Sequence, residues 1–145
     1  MGIINIVKNV KEIHKDYVVL VRTGTFYNCY GRDSYVISYL LGYKIKIIEN
    51  NIYTCSFSKA AYNKVISSLE NYKINYIVLD KRNNYDVDNK NNFGNLNRYG
   101  EIYKLARNKI SLKLRVAKIC NYLLSNNDEQ TIFEVERLIN ERRKV

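Results

Sequence analysis

The chain reads as an α/β protein: a mixed sheet flanked by helices, followed by a C-terminal two-helix appendage. Three observations predict this class. Extended apolar runs alternate with helical runs through the first half of the chain, the order that builds a mixed or parallel sheet with helices against its faces. A stretch from Lys81 to Asn97 containing seven Asn interrupts that alternation. Beyond it, helical periodicity runs to about Leu124 and resumes after Asp128.

Taken in order, Ile4 to His14 is an N-terminal helix or an extended lead. Val18-Val19-Leu20-Val21 is an apolar strand that breaks at Gly24 and presents the aromatic pair Phe26-Tyr27 in a Gly-Thr-Phe-Tyr-Asn turn. Asp33-Ser34 marks the start of an amphipathic helix that closes at Leu40-Leu41. Ile45 to Ile48 and Ile52 to Thr54 flank the polar turn Glu49-Asn50-Asn51, a hairpin pattern. Ala61 to Leu69 reads as a helix and Ile74 to Leu79 as a strand. Asn, Asp and Gly compete with regular backbone pairing, so the Asn-rich stretch is expected to be a loop. The expected division is an α/β domain over residues 1–82, a linker over 83–97 and a basic helical tail over 98–145.

At 100° per residue, Tyr103, Ala106, Ile110, Leu114, Ala117 and Leu124 share one face of the long tail helix. Leu105, Leu112, Val116, Ile119 and Leu123 form a second. Between them runs a basic strip, Lys104, Arg107, Arg115 and Lys118, within about 80° of arc. Ser125 to Asp128 breaks the helix and caps another, whose stripe is Ile132, Val135, Leu138 and Ile139. Two stripes on one helix need two partners. The short helix is expected to cover one, and the sheet or a second subunit the other, leaving the row from Leu105 to Leu123 buried.

Composition narrows the function classes. The formal charge of +10 falls unevenly: +5 over residues 1–86, +6 over 87–125 and −1 over 126–145. A basic balance attracts polyanions, nucleic acid among them, and serves solubility as well. Cys29, Cys55 and Cys120 are odd in number and far apart, which fits neither a disulfide framework nor a zinc site. No run of 18 apolar residues and no signal-peptide layout is present, so the expectation is a soluble, cytoplasmic protein without a membrane partner. His14 is the only histidine and has no nucleophile or metal partner in sequence. The carboxylates are scattered, without the close pair that metal-dependent nuclease work needs. The expectation is a protein that is not an enzyme and has no cofactor or bound metal.

The order of strand, Gly24-Thr25-Phe26-Tyr27-Asn28, helix and Leu40-Leu41 resembles domain I, the mismatch-recognition domain, of the MutS DNA mismatch repair family. There a strand ends in Gly-Asp-Phe-Tyr-Glu before a short helix closing in Leu-Leu, and further on comes a Gly-Ile-Pro-Tyr-His-Ala turn, where this chain has Cys55 to Ala60, so the resemblance implies a turn there. Element order and spacing resemble that domain over roughly residues 9 to 80, while individual motif letters match in part. A Gly-rich Lys-Ser/Thr phosphate loop, the ATPase signature of a complete MutS, is absent.

The resemblance implies that Phe26 wedges into the base stack at a mispair and that Asn28 stands where the family's Glu bonds the displaced base. Asn28 is a departure: an amide still donates and accepts, but it carries no charge. Arg22, Lys46 and Lys59 join the basic strip as candidate phosphate contacts, and Tyr53 as a stacking aromatic. The implied function is non-enzymatic binding of nucleic acid, DNA ahead of RNA, with a preference for distorted or mismatched sites. The alternative is a protein-interaction scaffold docking a nucleic-acid-processing partner through the C-terminal helices. A homodimer or a helical protein partner fits the spare stripe.

Overall fold

The structure is a computed structural model that describes residues 2–126 and 128–143. The chain divides into two compact units, one ending at Ile110 and the other beginning at Ser111.

The first unit contains helix α1 (Ile3–Ile13), strands β1 (Val18–Thr23) and β2 (Phe26–Tyr30), helix α2 (Arg32–Leu41), strands β3 (Ile45–Ile48) and β4 (Ile52–Ser58), helix α3 (Tyr62–Asn71), and strands β5 (Tyr76–Asp80) and β6 (Asp86–Asn91). The long helix α4 (Tyr99–Ser125) begins in this unit, and α5 (Glu129–Arg143) belongs to the second. Six strands form one mixed sheet in the order β3-β4-β2-β1-β5-β6, with β1 and β5 parallel and every other neighbouring pair antiparallel.

Central β1 is buried on both faces, as its near-continuous aliphatic run requires. Val18 and Leu20 join the larger core with Tyr27, Cys29, Val36, Leu69, Val78 and Tyr99, placing α2, α3 and the start of α4 on one face. Val19 and Val21 face the other way, against Val7 of α1 and against Ile77 and Leu79 of β5.

Five expectations change. Phe26 to Tyr30 is a strand and not a turn, pairing with β1 and β4. The turn itself is only Gly24-Thr25, between the paired Thr23 and Phe26. Gly24 has φ +68°, while Thr25 does not lie in the left-handed region. That combination is the II′ hairpin, whose first central position is suited to glycine.

The Asn-rich stretch is not simply a loop. Residues Asp86–Asn91 form the sheet's edge strand β6 on β5, with a register irregularity opposite Val78 and Leu79. Its side chains are exposed or half-buried, so backbone pairing to β5 holds it where side-chain pattern gives no signal. Cys55 to Ser58 likewise completes β4, leaving a short turn at Lys59–Ala61.

Asp33 and Ser34 do not cap α2. The N-cap is Gly31, with φ 60° and ψ −129°, a glycine conformation that brings Gly31 N–H to the carbonyl of Tyr53 at 2.8 Å. Asp33 is fully buried and pins four elements together. Its Oδ1 accepts from Lys11 Nζ of α1 at 2.9 Å and from the Tyr99 hydroxyl of α4 at 2.6 Å. Its Oδ2 accepts from Val19 N–H of β1, two residues before the first β1–β2 pair, at 3.0 Å. Burial and the Asp33 charge both push the Tyr99 hydroxyl pKa upward, so it stays a donor.

The tail's burial also differs. Tyr99, Ile102, Ala106 and Ile110 are the buried face of α4, with Tyr103 packed at the rim of the larger core. Leu114 is half-buried, while Ala117 and Leu124 are exposed. The expected buried row is open in this chain: Leu105, Leu112, Val116 and Ile119 are exposed and Leu123 is half-buried. In the terminal helix, Ile132 and Val135 are half-buried and Leu138 and Ile139 exposed. Asp128 caps α5, accepting from Gln130 N–H at 3.2 Å and the Thr131 hydroxyl at 2.6 Å; Asn127, also expected in this break, lies outside the described residues.

Candidate nucleic-acid interface

The alternation of β2 separates its two aromatics. Tyr27 points into the larger core, stacked between Phe57 at 5.5 Å and Tyr62 at 4.6 Å. Phe26, one residue earlier, points to the opposite face and is 53% exposed. Its cross-strand neighbours, Thr23 of β1 and Ser58 of β4, are small and polar. A half-exposed phenyl ring beside two hydroxyls buries little apolar area, so packing alone gives it a weak reason to be aromatic.

Asn28 lies two residues along on the same face, between Val21 and Ser56. Its Nδ2 donates to Thr23 Oγ1 at 2.7 Å, and the Ser56 hydroxyl donates to its Oδ1. This ladder joins β1, β2 and β4 and fixes the amide beside the Phe26 ring. One amide hydrogen and one oxygen lone pair are left over from these bonds. Thr23 and Ser56 are members that sequence reasoning missed. The signal for Ser56 was the alternation Cys55-Ser56-Phe57-Ser58, two apolar residues inward and two hydroxyls outward.

The other expected contacts divide. Lys46 pairs with Thr54, itself paired with Tyr30, which by alternation puts Lys46 on the Asn28 side of the sheet. Lys59 is exposed next to the hairpin, its N–H donating to the carbonyl of Thr25 at 2.8 Å. Arg22 pairs with Tyr27 and therefore faces away from Phe26, with its guanidinium 5.9 Å from the Tyr27 ring. Tyr53 is half-buried and its ring lies 5.5 Å from that of Tyr35 on α2, so it is engaged already. Lys104, Arg107, Arg115 and Lys118 are exposed along α4.

The same side of the sheet carries a second feature. A cleft of about 580 Å³ opens between α1 and the β2 and β4 strands, lined by Ile4, Val7, Tyr30, Ile52, Lys8 and Lys15 among others. Lys8 and Lys11, three residues apart, lie on one side of α1, and Lys15 stands in the turn just beyond its end. Lys11 is committed to Asp33, to the carbonyl of Tyr17 at 2.6 Å and to that of Lys15 at 3.0 Å. Lys8 and Lys15 remain exposed. Among the described residues no helix is long and apolar enough to cross a membrane.

The family model for MutS domain I matches residues 1–94, more than half of the chain. No curated protein matches it.

Proposed function

The chain belongs to the MutS domain I family, and from that premise we propose that it binds nucleic acid without enzymatic action, as a domain that prefers DNA whose stacking is already distorted. One observation carries the reading: Phe26 stands half-exposed on a sheet face with Asn28 held beside it. An apolar ring inserted at a base step must pay the unstacking cost of that step, and a mispair or loop lowers it. The remaining amide hydrogen and lone pair of Asn28 suit a base edge exposed by such a kink. Lys59, next to the hairpin, and Lys46, on the Asn28 side of the sheet, are the cations assigned to flanking phosphates, which position the protein without reading sequence.

The test is fluorescence anisotropy with homoduplex, mispaired, looped and single-stranded DNA and with duplex RNA. Tighter binding to mispaired or looped DNA than to homoduplex is expected, with affinity falling steeply as salt rises. Equal affinity for all substrates removes the distortion reading. The open aliphatic row on α4 favours the second reading, a scaffold that docks a nucleic-acid-processing protein, and that reading is left if no nucleic acid binds.

The tail's contribution is separable. Replacing Lys104, Arg107, Arg115 and Lys118 by Gln should weaken binding to every sequence alike. The slope of log affinity against log salt should shrink by up to about 3 to 4, at roughly 0.9 per lost phosphate contact. An unchanged slope moves the phosphate-binding surface off α4.

A further inference from the structure

None of the described residues of the second unit is buried. The last buried residue of α4 is Ile110, and none of the described residues of α5 is buried. Leu112, Val116 and Ile119 are each 58% exposed, and with half-buried Leu123 they recur at spacings of four, three and four. That is the seam of a helix that packs on another helix. Ile132, Val135 and Ile139 repeat the pattern on α5 at three and four. Short helices with an unburied apolar stripe are marginal in water, and open patches of this kind mark association surfaces.

The charges identify the occupant. From Ser111 to Asn126 the chain carries Lys113, Arg115 and Lys118 and no acid. From Asp128 to Glu136 it carries Asp128, Glu129, Glu134 and Glu136 and no base. Two α4 seams set against each other would oppose Lys113 and Arg115 to their own kind. An α4 seam set against the first half of α5 of another copy opposes basic to acidic side chains, the bases of α5 (Arg137, Arg142 and Arg143) falling beyond Glu136. A two-fold axis makes that contact twice, since what one copy offers the other receives.

We propose that this chain forms a homodimer through residues 111–143, the α4 seam of each copy covered by α5 of the other. The particle then carries two Phe26 faces, and two weak sites on one particle bind with higher apparent affinity where both can engage. The dimer does not depend on the nucleic-acid reading, and its test uses none.

Sedimentation of the full chain at micromolar concentration should give twice the 17.1 kDa mass of one copy. Lys113→Glu with Arg115→Glu, and separately Glu129→Lys with Glu136→Lys, all beside the two seams, should each lower the mass to one copy while the circular dichroism of the N-terminal unit is kept. All four positions are exposed, so these changes spare the core. Mixing the two variants in equal amounts should restore the mass of two copies, because each then offers the charge the other needs. A wild type that sediments as one copy, variants that stay dimeric, or a mixture that stays at one copy each overturn the proposal. The last of these would place the charge pairing within one chain.

Discussion

Asp33→Ala is expected to destabilise the protein by about 3 to 5 kcal/mol, the scale for removing one partner of a buried ion pair. The loss leaves the Lys11 ammonium, with a side chain only 20% exposed, without its carboxylate. It also strips an acceptor from the Val19 N–H and from the Tyr99 hydroxyl, each worth about 1 to 3 kcal/mol when left unsatisfied in the interior. These costs overlap and do not sum. Against a typical stability of about 5 to 15 kcal/mol, the variant is near the edge of folding. Urea unfolding followed by circular dichroism measures it. The magnitude also separates two readings of the residue. An aspartate that only caps a helix costs about 0.5 to 2 kcal/mol on truncation, so a loss in that range shows that the four-element pin is weaker than its geometry implies.

The pair adds its own check. Lys11→Met alone leaves a buried carboxylate unpaired and should also cost several kcal/mol, whereas Lys11→Met with Asp33→Asn should be milder than the two separate losses added together. Independent additivity would mean that Lys11 and Asp33 do not act as one unit.

What the residues disclosed and what they hid has a common cause. The aliphatic run of β1, the helical periods of α2, α3 and α4, the β3–β4 hairpin and strand β5 were legible because each carries its own burial pattern. The order Val18 to Val21 has an apolar residue for both faces of the sheet, and that needs no knowledge of neighbours. Strand β2 was read as a turn because its outward positions, Phe26 and Asn28, interrupt the apolar signal and Gly24 stands directly before it. Strand β6 carries almost no apolar signal: it is held by backbone pairing to β5, which only the assembled sheet supplies.

Asp33 was misread for the reverse reason. Asp-Ser before an apolar run is a sound local cap signal, and a partner 22 residues away on α1 overrode it. At the candidate site, Phe26 and Asn28 were singled out through the family motif. Thr23 and Ser56 were not, because their adjacency to Asn28 depends on strand register. Arg22 and Tyr53 were chosen for their places near the turn and the hairpin tip, and the same register turns them toward Tyr27 and Tyr35.

Phe26→Ala should abolish any preference for mispaired or looped DNA while leaving weak, salt-sensitive binding to ordinary duplex nearly unchanged. The ring gains stacking only where the duplex opens cheaply, so its removal costs affinity at distorted sites and little elsewhere. Alanine substitution of a stacking aromatic costs about 1 to 3 kcal/mol per base, which would remove roughly a five- to hundredfold preference. Stability should fall by much less than the about 3 to 5 kcal/mol of a core Phe, because half of this ring is already in water. Tyr27→Ala, one residue away and stacked between Phe57 and Tyr62, should show the opposite profile, a large loss of stability. Anisotropy on paired substrates and thermal unfolding of both variants separate the roles. If Phe26→Ala binds distorted DNA as the wild type does, the wedge assignment fails. Asn28→Glu then distinguishes a changed selectivity from a lost one. The Thr23 and Ser56 hydroxyls can both rotate to donate to a carboxylate, so the fold should accept the change. A gain in preference for mispairs would identify the amide as the reason this chain departs from its family.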